Sequence, residues 1–175
     1  MGNTLGSVDP KAVKKFDTFL AKYPKLLNKQ LLSDNKLFKT YSFLVEGESN
    51  IIMKVYIKRD NTSLTKHELS LNYMQKIFNL NVFPNLLPYT KLINDPDFFA
   101  VIRPKVNITL SHRLQTVPTL SAIEKRWIVF QLMTAIYNLH DSGLYHGAIT
   151  SSNALLTTWD HVCLEDFASF APNYI

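Results

Sequence analysis

The sequence contains little cysteine and no long apolar run, and these two absences exclude several classes of protein. Cys163 is the single cysteine among 175 residues, so the chain has no intrachain disulfide and no zinc site built on cysteines. A reducing, cytosolic setting is therefore expected. No apolar run approaches the ~18 residues of a membrane-spanning helix, and the N-terminus lacks the apolar stretch of a secretory signal. With 46% hydrophobic and 19% charged residues, the composition is that of a globular chain.

Acidic residues are scarce in the first 40 positions, and this segment accounts for the net charge of +5. It contains eight lysines against three aspartates, whereas basic and acidic residues balance over the remaining 135 positions. A nucleic-acid-binding domain more often spreads a basic stripe over its whole fold, so no nucleic-acid partner is predicted. A basic terminal segment instead suits an anionic membrane surface, which attracts each nearby lysine by about 1 kcal/mol.

The N-terminus partly matches the pattern for attachment of a myristoyl group. Gly2 follows the initiating methionine, but the sixth residue is Gly6, and the serine that the pattern favours there comes one position later as Ser7. An acylated Gly2 and an unmodified terminus therefore both remain open. One acyl chain binds membranes only marginally and needs a second signal. Three nearby lysines can supply that signal: Lys11, Lys14 and Lys15.

Hydrophobic spacing predicts a first half dominated by short strands. The pattern indicates a helix, two strands, a second helix and two further strands. These elements are predicted over residues 11–32, 37–45, 51–57, 65–80, 86–93 and 98–103.

The second half contains the clearest helix, predicted over residues 121–142. Ser121 and Glu124 have the spacing of a capping box at its start, and Gly143 stands where a helix-terminating glycine is expected. A polar loop at 145–153 and two short strands follow. A β-rich half before a helix-led half predicts the α+β class.

Four polar residues fall in an order that resembles the protein-kinase signature set. Lys54 lies in a predicted strand, Glu68 opens the next helix, Asn153 ends a loop that begins at His146, and Asp166 follows a hairpin. In kinases the strand lysine holds nucleotide phosphates and pairs with the helix glutamate. The aspartate and the asparagine bind Mg²⁺ there. By resemblance, these four residues would bind ATP or GTP together with Mg²⁺.

Several positions depart from the kinase pattern. Ala148 stands where kinases have the aspartate that accepts the substrate proton, and a methyl group cannot accept one. Thr150 and Ala168 replace a lysine and the glycine of the Asp-Phe-Gly motif. The stretch at 31–36, which matches the phosphate-covering loop, has no glycine, and its Asp34 would repel phosphate. Phosphoryl transfer is therefore not expected, and nucleotide binding is predicted to be weak or absent.

A narrower resemblance rests on five short stretches. They resemble the kinase-like regulatory subunit of the class III phosphatidylinositol 3-kinase complex, a vacuolar protein-sorting serine/threonine kinase family. The stretches are residues 1–3, 123–131, 146–147, 158–159 and 166–170, the last followed by Pro172 and Tyr174.

This resemblance implies a bilobal, kinase-like fold with three parts. They are an N-terminal extension over 1–30, a β-rich N-lobe over 31–105 and a partial C-lobe over 106–175. The resemblance also implies a myristoylated Gly2 and a cytoplasmic location, peripheral on endosomal, vacuolar and autophagic membranes. The implied partners are the lipid-kinase catalytic subunit and a coiled-coil autophagy subunit. The implied role is regulation by a degenerate kinase domain in autophagy and sorting.

Two other interpretations remain open. One is an active ATP-dependent serine/threonine kinase with an atypical catalytic loop, supported by the retained Lys54, Glu68, Asn153 and Asp166. The other is an α+β adaptor with chance motifs. Because the sequence stops soon after Asp166, the apolar stripe at 123–139 is expected to be under-buried unless a longer product or a partner covers it.

Overall fold

The order of helices and strands follows the predicted α+β pattern. The computed structural model describes residues 10–34, 38–47, 50–58, 65–106, 108–157 and 160–167. Its elements are α1 (Pro10–Ala21), β1 (Leu26–Asp34), β2 (Phe38–Val45), β3 (Ile51–Ile57), α2 (Thr65–Leu80), β4 (Lys91–Asn94), β5 (Phe98–Pro104), β6 (Ile108–Thr109), α3 (Leu110–Arg113), α4 (Ala122–Asp141), β7 (Ala154–Leu156) and β8 (Val162–Leu164).

The first lobe is a five-stranded antiparallel sheet with strand order β1-β2-β3-β5-β4, together with α1 and α2. Strand β3 lies in the middle and is rich in β-branched and aromatic residues, which suit a buried, pleated surface. Its Lys54 stands opposite Thr40 of β2 and Val101 of β5. Pairing on both sides holds the backbone of Lys54 rigidly at the centre of the sheet.

The predicted helix over 11–32 is wrong in its second half. Helix α1 ends at Ala21, and the chain then forms β1, an edge strand paired with β2. Pro24 explains the break, because proline cannot continue a helix and disfavours helical geometry in the residue before it. Leu27, which falls inside the predicted helix, is therefore an exposed strand residue.

Helix α1 packs on the first-lobe sheet through two aromatic side chains. The ring centroid of Phe16 lies 4.9 Å from that of Tyr41, and the centroid of Phe19 lies 5.2 Å from that of Phe98. Both phenylalanines are buried. The amphipathic spacing of α1 therefore serves packing on the sheet.

The second lobe consists of α3, α4 and a three-stranded sheet with order β6-β7-β8. The capping box is confirmed, since Ser121 Oγ accepts from the Glu124 N–H at 3.2 Å and Glu124 Oε2 accepts from the Ser121 N–H at 2.6 Å. Gly143 follows the helix with φ of 69°, a left-handed conformation that favours glycine. The short elements β6 and α3 were not predicted, and of the stretch 86–93 only its end belongs to a strand, β4.

One hydrophobic core joins the two lobes. Buried residues of both lobes form a single cluster that includes Tyr56, Phe99, Ile128, Leu139 and Leu164. The segment after α2 adds polar contacts to this junction. Asn85 Nδ2 donates to Gln131 Oε1 at 3.1 Å and to the Val162 carbonyl at 2.9 Å. The two lobes therefore pack as one body around the residues of the predicted site.

Helix α4 has two apolar faces. The predicted stripe faces the core, with Ile128, Ala135 and Leu139 buried, so the expected under-burial is wrong for those residues. A second set of large apolar side chains is exposed on the helix: Ile123, Trp127, Val129, Phe130, Met133 and Tyr137. Within the described ranges, no helix combines the length and apolar character needed to cross a bilayer.

Candidate functional site

Lys54 is buried where the two lobes meet, and its charge is paired with Asp166. Lys54 Nζ lies 2.5 Å from Asp166 Oδ1, across 112 residues of sequence. The same ammonium group lies 4.0 Å from the ring centroid of Phe38, at the start of β2, which is a cation–π distance. The ion pair therefore links the central strand of the first lobe to the segment after β8.

The backbone of Asp166 adopts an uncommon conformation. Its φ is 63°, in the left-handed region, where aspartate is tolerated better than most residues other than glycine. Tyr89 Oη donates a second hydrogen bond to Asp166 Oδ1 at 3.2 Å. Sequence reasoning missed Tyr89, because no local pattern connects a tyrosine before β4 with an aspartate 77 positions later.

The predicted pair between Lys54 and Glu68 does not form. Glu68 Oε1 instead lies 3.1 Å from Lys58 Nζ, and Glu68 Oε2 accepts from Asn94 Nδ2 at 3.2 Å. The reason is positional: Glu68 lies in the first turn of α2, close to Lys58 just after β3. Asp166 already neutralises the charge of Lys54, so the structure brings together Lys54 and Asp166 and leaves Glu68 outside this pair.

The loop from His146 to Asn153 is held by its own side chains. His146 is buried, its ring centroid lies 5.0 Å from that of Phe167, and its Nδ1 accepts from the Ala148 N–H at 3.2 Å. Asn153 Nδ2 donates to the Ala148 carbonyl at 2.8 Å. Burial lowers the pKa of His146, so the imidazole is neutral at physiological pH. These contacts hold the backbone of the loop at Ala148, whose side chain is a methyl group.

A second ion pair beside Asp166 was also missed by sequence reasoning. Arg103, at the end of β5, pairs with Glu165, and both side chains are largely buried. Lys54 and Arg103 lie on neighbouring strands of one sheet, and they pair with the consecutive residues Asp166 and Glu165. Burial outweighs the nearby Arg103 and raises the pKa of Glu165 to about 7. We call Lys54, Tyr89, Arg103, Glu165 and Asp166 the interlobe site.

Some predicted features lie outside the described residues. These are Gly2, the end of the phosphate-covering stretch at 35–36, the Thr158–Trp159 pair, and the segment from Ala168 onwards. Within the described part of that stretch, Asp34 pairs with Lys39 at 2.7 Å. Its charge is therefore partly neutralised, and the predicted repulsion of phosphate is weaker than the sequence alone indicates.

Asp166 and Asn153 have the chemistry of Mg²⁺ ligands. The Glu165 N–H donates to the Asn153 carbonyl at 2.9 Å, which places Asn153 beside the segment that carries Asp166. Carboxylate and amide oxygens suit this hard cation. The described ranges contain no cluster of three or more His, Cys, Asp or Glu side chains able to hold a metal. Asp166 and Asn153 therefore suit a Mg²⁺ ion whose other ligands would be the phosphate oxygens of a nucleotide.

The relatives found by comparison with known proteins carry similar names, although no family model matches the chain. "Putative serine/threonine-protein kinase VPS15" of Komagataella pastoris is 37% identical over 145 residues, which cover 82% of this chain and 11% of that protein. "Serine/threonine-protein kinase vps15" of Schizosaccharomyces pombe is 32% identical over 160 residues, 91% of this chain and 9% of the relative. "Serine/threonine-protein kinase VPS15" of Arabidopsis thaliana is 33% identical over 151 residues, 86% of this chain and 10% of the relative. The chain spans about a tenth of the length of these relatives.

Proposed function

Because the chain belongs to the VPS15 family of serine/threonine-protein kinases, with a kinase-like N-lobe and the start of a C-lobe, we propose that it is a regulatory module with a degenerate kinase site. In this proposal the site binds ATP or GTP with Mg²⁺ weakly or not at all, and it does not transfer phosphate. The module acts through the proteins and membranes that it contacts.

The observation that carries the proposal is Ala148 in an otherwise ordered catalytic loop. His146 and Asn153 both bond to the backbone of Ala148, so the position that would hold the proton acceptor is fixed. A methyl group has no lone pair to accept a proton. General-base catalysis typically contributes about 10²- to 10⁴-fold in rate, and this contribution is lost here. Bound Mg²⁺ would neutralise phosphate charge, and Lys54, Asn153 and Asp166 are the residues that would hold the Mg²⁺–nucleotide complex.

The alternative of an active kinase has one observation in its favour. Lys54 and Asp166 are in contact, and Asn153, which directly precedes β7, accepts from the N–H of Glu165, the residue before Asp166. These residues would position phosphates and a cation. They do not provide a proton acceptor, and the Lys54–Glu68 pair that kinases use is replaced by Lys58–Glu68. We therefore favour the regulatory role.

We further propose the partners that the family resemblance implies. They are the catalytic subunit of a class III phosphatidylinositol 3-kinase and a coiled-coil autophagy subunit. Attachment to endosomal, vacuolar or autophagic membranes is proposed through a myristoyl group on Gly2 and the basic residues that follow it. The excess of lysine over acidic residues in the first 40 positions supports this membrane role.

Affinity capture of the tagged protein from its own cells, followed by mass spectrometry, tests the partner proposal. We expect the lipid-kinase catalytic subunit to be recovered from the wild type and from a Gly2→Ala variant alike. We expect the fraction bound to membranes to fall severalfold in Gly2→Ala, because the acyl chain cannot be attached. Failure to recover the lipid kinase would contradict the scaffold role, and equal membrane binding by both proteins would contradict the lipid anchor.

A further inference from the structure

Tyr89 lies in the segment that joins α2 to β4, and its ring packs against the core shared by the two lobes. Its hydroxyl donates to Asp166 Oδ1 at 3.2 Å. A carboxylate has no proton to give, so the phenolic hydroxyl of Tyr89 is the donor in this contact.

The two donors on Asp166 share a single oxygen. Lys54 Nζ and Tyr89 Oη both contact Oδ1, at 2.5 Å and 3.2 Å. No residue in the described ranges hydrogen-bonds Oδ2, and the Asp166 side chain is 27% exposed. The carboxylate is therefore fixed through one oxygen, while the other remains available to a ligand.

Tyr89 and Asp166 belong to segments that are hydrogen-bonded to each other. The Leu87 N–H donates to the Leu164 carbonyl at 2.8 Å, and the Leu164 N–H donates to the Asn85 carbonyl at 2.9 Å. The segment before Tyr89 thus pairs with β8, the strand that leads to Asp166. The segments that carry Tyr89 and Asp166 are therefore held together by backbone hydrogen bonds that do not involve Lys54.

We propose that Tyr89 is a positioning residue that orients Asp166 toward the divalent cation of a bound nucleotide. This inference rests on the proposed nucleotide site. A strand lysine that binds phosphate can no longer pair fully with Asp166. Tyr89 then remains as the donor that holds Oδ1, and it leaves Oδ2 for the cation. No pattern in the sequence assigns Tyr89 this role.

The test compares nucleotide affinity with and without Mg²⁺ in the wild type and in Tyr89→Phe. Isothermal titration with ATP and with GTP, in excess Mg²⁺ or in EDTA, gives the gain in affinity due to the cation. We expect Tyr89→Phe to reduce that gain about three- to tenfold, which corresponds to the loss of one hydrogen bond. Affinity in EDTA is expected to stay within about twofold, because the phenylalanine ring preserves the packing.

Two further variants separate the possible outcomes. Tyr137→Phe, at an exposed tyrosine of α4, should leave both affinities unchanged. Asp166→Asn should abolish the gain due to Mg²⁺. If Asp166→Asn removes the gain and Tyr89→Phe retains it, the role of Tyr89 is wrong while the nucleotide site stands. A fall in affinity that is equal with and without Mg²⁺ would also overturn it, since that pattern indicates a structural role. If the wild type binds neither nucleotide, this inference fails, while the proposed regulatory role, which does not require nucleotide, stands.

Discussion

Replacing Arg103 with leucine is expected to lower the free energy of unfolding by about 3 kcal/mol at pH 8, because it leaves the buried Glu165 carboxylate without its partner. Removing one partner of a buried ion pair typically lowers the free energy of unfolding by about this amount, whereas removing both charges often changes it little. The double variant Arg103→Leu, Glu165→Leu should therefore recover most of the loss. Chemical denaturation of the three variants and the wild type measures the effect.

The same ion pair predicts a pH dependence of stability. The pKa of Glu165 in the folded chain, about 7, lies above its ordinary value of 4.5, so the folded state holds this proton more tightly than the unfolded state. The resulting stability is fully present below pH 4.5 and is lost as the pH rises to 7. The shift corresponds to about 3 kcal/mol as an upper figure. Glu165→Gln should flatten this part of the stability profile.

Two outcomes would contradict the account of Glu165. A loss of stability in Arg103→Leu that is the same at pH 5 and pH 8 would mean that the charge of Glu165 is not the cause. An unchanged stability profile in Glu165→Gln would mean that another group titrates in this range. Charged and titratable groups around Glu165 include Arg103, Lys54, Asp166, Tyr89 and His146. Asp166→Asn serves as the control for the neighbouring carboxylate, and His146→Gln as the control for the imidazole.

Replacing Phe167 with alanine is expected to destabilise the chain by about 3 to 5 kcal/mol, the usual cost of removing a buried phenylalanine ring. Phe167 is buried, and its ring centroid lies 5.2 Å from Phe78 of α2 and 5.0 Å from His146. It thus packs between a first-lobe helix and the buried histidine of the 146–153 loop. The loss should appear in the denaturation midpoint and in faster hydrogen exchange of the loop around His146.

The matched control is Phe130→Ala, at an exposed phenylalanine of α4. This surface substitution should cost less than about 1 kcal/mol. If Phe167→Ala were equally mild, Phe167 would not join the lobes as the structure indicates. If hydrogen exchange changed throughout the first-lobe sheet and left the loop around His146 unaffected, the proposed link between α2 and this loop would be wrong.

Local patterns in the sequence predicted much of the secondary structure. The helix at 65–80, the capping box of α4 and the strands around Lys54 were predicted because spacing and capping depend on near neighbours. Strand β1 was predicted as part of a helix, because its leucines continue the helical spacing of the amphipathic helix that precedes it. Its strand conformation depends on pairing with β2, a contact that lies outside any local window.

The site was predicted only where a known motif names its residues. Lys54 and Asp166 were identified in this way, and the structure brings them together. Tyr89 and the Arg103–Glu165 pair match no motif, and they form contacts between residues that are distant in sequence. Glu68 pairs with Lys58 because of where α2 starts relative to the end of β3. The spacing of residues in the sequence does not determine that starting point.

The most direct test of the central claim is a phosphoryl-transfer assay. Purified chain would be incubated with radiolabelled ATP or GTP, Mg²⁺ and general protein substrates, beside Asp166→Ala and Lys54→Met variants. We expect transfer by the wild type to equal the background of both variants, because Ala148 cannot accept the proton of a substrate hydroxyl. Transfer by the wild type that disappears in both variants would contradict the account and establish an active kinase.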